Sequence, residues 1–199
     1  MILKVCGITN QGDADAAMGS GATALGFNFY PMSPRYIAPE LAATLATPGV
    51  LRVGVFVDEA PAEIAQIARI AALDVAQLHG DESPADYPAG MRVWKAARVS
   101  EDFDFARMEQ CPAEAILLDG PAAQLYGGAG VPFDWRLARG AHRRIIVAGG
   151  LDASNVGRAI GLAQPWGVDA CSRIESSPGI KDHTKMTEFL LAAQAALRP

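Results

Sequence analysis

Short apolar, β-prone runs return along the whole length of this chain, and no other feature restricts its fold as strongly. The runs are ILKVC, ALGF, RVGVFV, VAQLH, RVWKA, AILLD, RIIVAGG and GVDAC, separated by stretches that can hold helices. Their centres lie roughly 17 to 29 residues apart, about the length of one strand, one helix and two short loops, so the period predicts repeated βα units and a parallel sheet. Two of the intervening segments carry a helical stripe. After Pro61, Ile64, Ile67 and Ala71 share one face while Glu63, Gln66 and Arg69 take more polar positions. Near the end, Met186, Phe189, Leu190, Ala193 and Leu197 form a second stripe. The segment PAAQLYGGAGVPFDW, between the sixth and seventh runs, is too rich in Gly and Pro for a full helix and is expected to be a mobile loop.

Eight such units without a break in composition predict a single α/β domain over residues 1–199, a compact (β/α)8 TIM barrel, with an open doubly wound sheet as the alternative. With 199 residues, 50% of them hydrophobic, the chain can bury one large core and stands near the lower size limit of a barrel, so its loops must be short. The net charge of -5 argues against a nucleic-acid partner while leaving room for a local cationic pocket around a small anion. The start, MILKVCGITN, lacks the pattern of a leader peptide, and no run reaches the length of a membrane span. Cys6, Cys111 and Cys171 form no CxxC pair and have no zinc spacing, which suits reduced thiols in the cytoplasm; no metal ligand set is expected.

In a barrel the active site sits where the strands end, and polar residues fall there: Cys6, Asn28, Asp58, His79, Asp119, Gly149 with Gly150, and Ser172. The seventh run continues into AGGLDASNV, where adjacent glycines let backbone amides approach an anion and Ser154 or Asn155 can cap the next helix. The eighth continues into CSRIESSPGIKD, long enough for a tight turn or short extra helix aimed at the same spot. Together these loops form an expected phosphate cradle. Alternatively, the Gly pair is only a tight turn.

The motifs VCGIT, GFNFYPMSPRYI, GVFVDE, QLHGDE, LLDG, GGAGVPFDW, VAGGLDASNV and SSPGIKD occur in one order from Lys4 to Asp182. In this the chain resembles the phosphoribosylanthranilate isomerases of tryptophan biosynthesis. The resemblance implies a cofactor-free Amadori rearrangement of N-(5-phosphoribosyl)anthranilate to 1-(2-carboxyphenylamino)-1-deoxyribulose 5-phosphate. It implies Cys6 of CGIT as general base, Asp119 of LLDG as general acid, and Arg35 of SPR near the anthranilate carboxylate. Gly149, Gly150, Ser172 and Arg173 are the expected phosphate contacts. The chain departs from the family pattern at VDACSRIE, where Cys171 replaces a Ser and Arg173 a Gly. Arg173 is then either strained, if that Gly has positive φ, or a further phosphate ligand.

A thiolate is a competent base for the sugar C2 proton, and a carboxyl can protonate the ring oxygen at neutral pH if burial raises its pKa. Lys4 lies two positions before Cys6 on the same strand face, about 6.6 Å away, with Asp169 as its natural counter-ion once the barrel closes. That cation is either packing or a tuner of the thiol. Outside the resemblance, Cys6 reads as a small buried hydrophobe, Asp119 as a turn residue, and Arg35 as a surface cation on Tyr36. His79 either enters the mouth or pins a loop, and Cys111 and Cys171 read as structural. Two other functions compete. The analogous histidine-pathway isomerase uses two aspartates, against which Cys6 speaks, and a non-catalytic sugar-phosphate binding module would need the phosphate loops alone. A monomer is expected, with a homodimer as the alternative.

Overall fold

The computed structural model describes residues 1–100, 103–104, 108–120 and 133–197. All eight runs are strands: β1 (Ile2–Cys6), β2 (Ala24–Asn28), β3 (Leu51–Phe56), β4 (Val75–Leu78), β5 (Arg92–Arg98), β6 (Ala115–Asp119), β7 (Arg144–Val147) and β8 (Gly167–Ala170). They pair in parallel in sequence order, and β8 returns to β1 to close a barrel, which removes the open-sheet alternative.

The outer layer includes α1 (Gln11–Gly19), α2 (Pro39–Thr44), α3 (Pro61–Ile70), α4 (Val156–Ala163) and α5 (His183–Ala195). The stripe of α3 is buried at Ile64, Ile67 and the following Ala71. Along α5, Met186, Phe189, Leu190 and Ala193 are buried, but Leu197 lies past the helix end and is 40% exposed. The helix stops before the stripe's last member can reach the core. The β4–β5 connection holds only a 3-10 turn, Pro84–Asp86, because Pro84, Pro88 and Gly90 interrupt helical hydrogen bonding there. Most of the expected loop between β6 and β7 lies outside the described residues; its end enters a 3-10 turn at Trp135–Ala138.

The core has two compartments. A large one lies between strands and helices and contains Val5, Leu25, Phe27, Phe56, Ile116 and Phe189. A smaller one fills the barrel, with Ala24, Val53, Val75, Trp94, Ala96, Ala115, Leu117 and Ile146. Alternate residues of each strand serve each compartment, as strand geometry requires. Above the apolar interior the same inward rows turn polar. That change marks the site.

Candidate active site

The period of two along each strand delivers the site residues. Cys6 follows Lys4 on the inner face of β1, His79 follows Gln77 off β4, Asp119 follows Leu117 on β6, and Cys171 follows Asp169 off β8. Apart from Lys4, all of them line one cavity at the C-terminal ends of the strands, with Asn28, Arg35, Gly149, Gly150, Ser172 and Arg173. Asp58 takes no part in it. Its carboxylate accepts the Asp81 amide and ties two loops together.

The floor is an ion pair. Lys4 is fully buried and its Nζ donates to Asp169 Oδ2 at 2.8 Å, the pairing expected from closure of β8 on β1. Burial works against the charge on Lys4, but Asp169 and Cys6 outweigh it and hold the ammonium above its ordinary value. Gly26 on β2 makes room for both neighbours, since a Cβ there would meet Cys6 Sγ at 2.7 Å and Lys4 Nζ at 3.1 Å. Cys6 is therefore a sulfur beside a buried cation, not merely a small hydrophobe. The neighbouring Cys171 thiol and the charge of Lys4 draw its thiol well below the ordinary range, against the effect of burial.

Across the cavity the order reverses. Burial pushes the Asp119 carboxyl up from 3.8 to about 6; the Gly120 amide and Arg98 pull the other way, and Cys6 adds to the rise. Gly149 makes this placement sterically feasible. A Cβ there would stand 2.6 Å from Asp119 Oδ1, and the residue has φ +81°. His79 Nε2 lies 3.7 Å from Asp119 Oδ2, so the ring enters the mouth. Burial and the nearby cations Lys4, Arg98 and Lys95 lower its pKa to about 4, and the imidazole is neutral at physiological pH. Gln77 Oε1, His79 Nε2 and Asp169 Oδ1 are buried without a hydrogen-bond partner among the described residues. Polar groups of a bound molecule would satisfy such atoms.

Arg35 is not a surface cation. Its Nε and Nη2 grip Glu175 at 2.9 and 2.7 Å, and Glu175 also receives Lys181 Nζ at 2.8 Å. Glu175 belongs to β9 (Glu175–Ser177), which forms a hairpin with β10 (Ile180–Lys181). The bidentate contact fixes the plane of the guanidinium at the cavity wall. Gly7, with φ +78°, clears the Arg35 stem; a Cβ there would come within 2.9 Å of Cδ.

At the opposite wall Gly149 and Gly150 both have positive φ, and a short 3-10 helix, Ser172–Ile174, follows β8 as expected. One expectation fails and one alternative is removed. Asn155 stands at the N-cap position of α4, but neither side chain caps the helix: Ser154 Oγ donates to Asp152, and Asn155 is spent on Gly150 O and the Asp152 amide. Those bonds brace the glycine loop itself. Arg173 is not strained, because positive φ outside glycine is confined, among the described residues, to Asp58, Ala72 and Gln164. Its Nη1 pairs with Asp152 Oδ2 at 2.9 Å, joining the two loops.

Cys111 packs against the Tyr87 hydroxyl, away from this cavity. Cys171 does not fit the structural reading, since it lines the cavity beside Cys6. Glu175, Lys181, Gln77 and Cys171 are thus the site-forming residues that single-residue reasoning missed. Their signal was membership of quoted segments: Gln77 of QLHGDE, Cys171 and Glu175 of VDACSRIE, and Lys181 of SSPGIKD. Among the described residues, no group of three or more His, Cys, Asp or Glu is arranged to hold a metal ion.

The profile of the N-(5'-phosphoribosyl)anthranilate isomerase family matches residues 3–192. The chain belongs to this family. It is 70% identical over 197 residues to the N-(5'-phosphoribosyl)anthranilate isomerase of Solibacter usitatus, covering 99% of both chains. Among solved structures, the phosphoribosylanthranilate isomerase of Thermus thermophilus superposes with a TM-score of 0.90 at 36% identity, over the whole of both chains. A phosphoribosylanthranilate isomerase crystallised with reduced 1-(o-carboxyphenylamino)-1-deoxyribulose 5-phosphate superposes with a TM-score of 0.87 at 38% identity, over 98% of this chain and all of the other. As a phosphoribosylanthranilate isomerase, the chain is an enzyme of tryptophan biosynthesis with a TIM-barrel fold. Among its described residues no helix is long and apolar enough to cross a membrane.

Proposed function

We propose that this chain converts N-(5-phosphoribosyl)anthranilate to 1-(2-carboxyphenylamino)-1-deoxyribulose 5-phosphate with Asp119 as general acid and Cys6 as general base. One observation carries the assignment: an acid biased to keep its proton and a thiol biased to lose its own line the same cavity. Asp119 protonates the furanose ring oxygen while the anilino nitrogen lone pair forms the Schiff base. Cys6 then removes the C2 proton, and the resulting enolamine tautomerises to the ketose. Gly149, Gly150, Ser172 and Arg173 receive the phosphate, and Arg35 receives the anthranilate carboxylate. The test is steady-state turnover of phosphoribosylanthranilate, followed by loss of its fluorescence. A folded sample without turnover would contradict the reading.

The pH dependence has a defined sign. Activity requires Cys6 deprotonated and Asp119 protonated, so kcat/KM should rise as the thiol ionises and fall as pH climbs through about 6, where Asp119 loses its proton. The two limbs belong to the coupled pair. A profile flat from pH 5 to 8 would remove the acid-base assignment.

Arg35→Lys should act on binding. It replaces a planar fork, held by Glu175, with a point charge, at a cost of about 1.5–3 kcal/mol for a charged hydrogen bond, or about 10–150-fold in KM. A change confined to kcat would count against the carboxylate contact.

A small phosphorylated sugar is the partner, and the protein acts as a cytoplasmic monomer, where its three free thiols remain reduced. One solved relative, from Thermotoga maritima, consists of monomers generated from a dimeric phosphoribosylanthranilate isomerase. Sedimentation equilibrium distinguishes the two states for this chain.

A further inference from the structure

The segments CGIT, SPR and SSPGIKD are far apart in the chain, and the fold brings them to one place. The β9–β10 hairpin turns at Pro178 and Gly179, and Thr9 Oγ1 donates to Gly179 O at 2.6 Å. Gly179 has φ +84°, and a Cβ there would stand 3.2 Å from Pro34 O and 3.8 Å from Arg35 Cα, so the hairpin packs on the SPR backbone. Asp13 accepts the Lys181 amide at 2.8 Å and ties β10 to α1.

This seating delivers a buried carboxylate and a buried ammonium to the stem of Arg35. Glu175 is buried, and the Lys181 side chain is 0% exposed. Glu175 Oε1 accepts Arg35 Nε at 2.9 Å, Lys181 Nζ at 2.8 Å and the Gly179 amide at 3.3 Å, and Oε2 accepts Arg35 Nη2 at 2.7 Å. Arg35 Nη1 has no hydrogen-bond partner among the described residues, which leaves one corner of the fork for a ligand.

Charge decides whether that corner attracts an anion. Arg35 and Glu175 alone sum to zero, and a neutral pair exerts little pull on a second carboxylate. Lys181 restores one positive charge to the cluster, since Glu175 is the only carboxylate in contact with its ammonium among the described residues. Burying an ammonium is costly, and Arg35 already engages Glu175 through both oxygens, so ion pairing alone gives Lys181 no net benefit. We propose that Lys181 is a positioning residue for carboxylate recognition: with Glu175 it holds the Arg35 fork, and its charge keeps the cluster cationic, so that the cavity selects a ligand whose aromatic ring bears a carboxylate. The inference rests on Arg35 receiving the anthranilate carboxylate.

The test reads binding, separately from turnover. Two ligands are titrated calorimetrically: reduced 1-(2-carboxyphenylamino)-1-deoxyribulose 5-phosphate, and the same molecule with an unsubstituted phenyl ring. Their Kd ratio is the preference for the carboxylate. Lys181→Gln keeps a donor for Glu175 and loses the charge, so it should lower the preference about tenfold, the effect of one unit charge at roughly 10 Å in a protein interior, with the Kd of the phenyl ligand unchanged. Glu175→Gln/Lys181→Gln removes one charge of each sign and should regain most of the preference. Arg35→Met should lower it by about 10–150-fold. A preference unchanged in Lys181→Gln but lost in Arg35→Met overturns the role of Lys181 alone. Equal weakening of both ligands in Lys181→Gln, or a double variant as poor as the single one, also overturns it. A preference unchanged in Arg35→Met overturns the carboxylate contact itself, and the inference with it.

Discussion

Cys6→Ala and Asp119→Asn are each expected to lower kcat by about 10²–10⁴-fold, the range a positioned acid or base supplies, with KM changed little. Neither Cys6 nor Asp119 is itself proposed to hold an end of the substrate, so ligand binding should survive. Asp119→Asn should also stabilise the fold at neutral pH. Burial raises the folded-state pKa of Asp119 above its unfolded value, from 3.8 to about 6. Between those values the native state binds the extra proton, so stability falls as pH rises through the window, and the cost persists at pH 7. Removing the charge should recover about 1–3 kcal/mol, a Tm gain of several degrees for a chain of this size. Turnover by isotope-free fluorescence assay and Tm by calorimetry check both halves. Wild-type rates in the two variants, or a Tm loss large enough to explain the inactivity, would defeat the assignment.

Lys4→Met should have the largest effect on stability. Lys4 is fully buried and its Asp169 contact is 2.8 Å, so removing the cation strands a carboxylate inside the barrel. Breaking such a pair costs about 3–5 kcal/mol, or roughly 10 °C in Tm. Burial has already raised Asp169 to about 7, so the stranded group takes up a proton and the lower end of the range is expected. The double variant Lys4→Met/Asp169→Leu should regain most of the loss, because a well-packed apolar pair replaces a buried ionic one at little net cost. Activity tests whether the pull of Lys4 on Cys6 matters for turnover. A cation that tunes Cys6 predicts a stable double variant with a raised thiol pKa and low kcat/KM at pH 6; a purely structural pair predicts wild-type turnover there.

The eight strands were legible because each is a local property. An apolar run of the right length, followed by turn residues, specifies a strand without reference to distant partners, and alternation within KVC or LLD specifies which side chains share a face. The helical stripe after Pro61 was equally local. The final stripe overran at Leu197, where periodicity continued past the end of α5 and sequence had no measure of core depth. Even Lys4 with Asp169 could be anticipated, because closing an eight-stranded sheet obliges the last strand to meet the first.

What remained hidden depends on how residues far apart in the chain meet. Cys171 became part of the surroundings of Cys6 because β8 pairs with β1 at the barrel closure. Arg35 became an oriented fork because a hairpin after β8 brought Glu175 across 140 positions to hold it. Gly149, read as an anion-binding glycine, also makes room for Asp119. By itself, then, the sequence determined the strands and their inward rows, and it set Cys6 and Asp119 at the strand ends, where the proposed proton transfers need them. Only the tertiary structure decided their protonation preferences, because a pKa is set by burial and by neighbouring charges, and those neighbours are assembled by closure of the barrel.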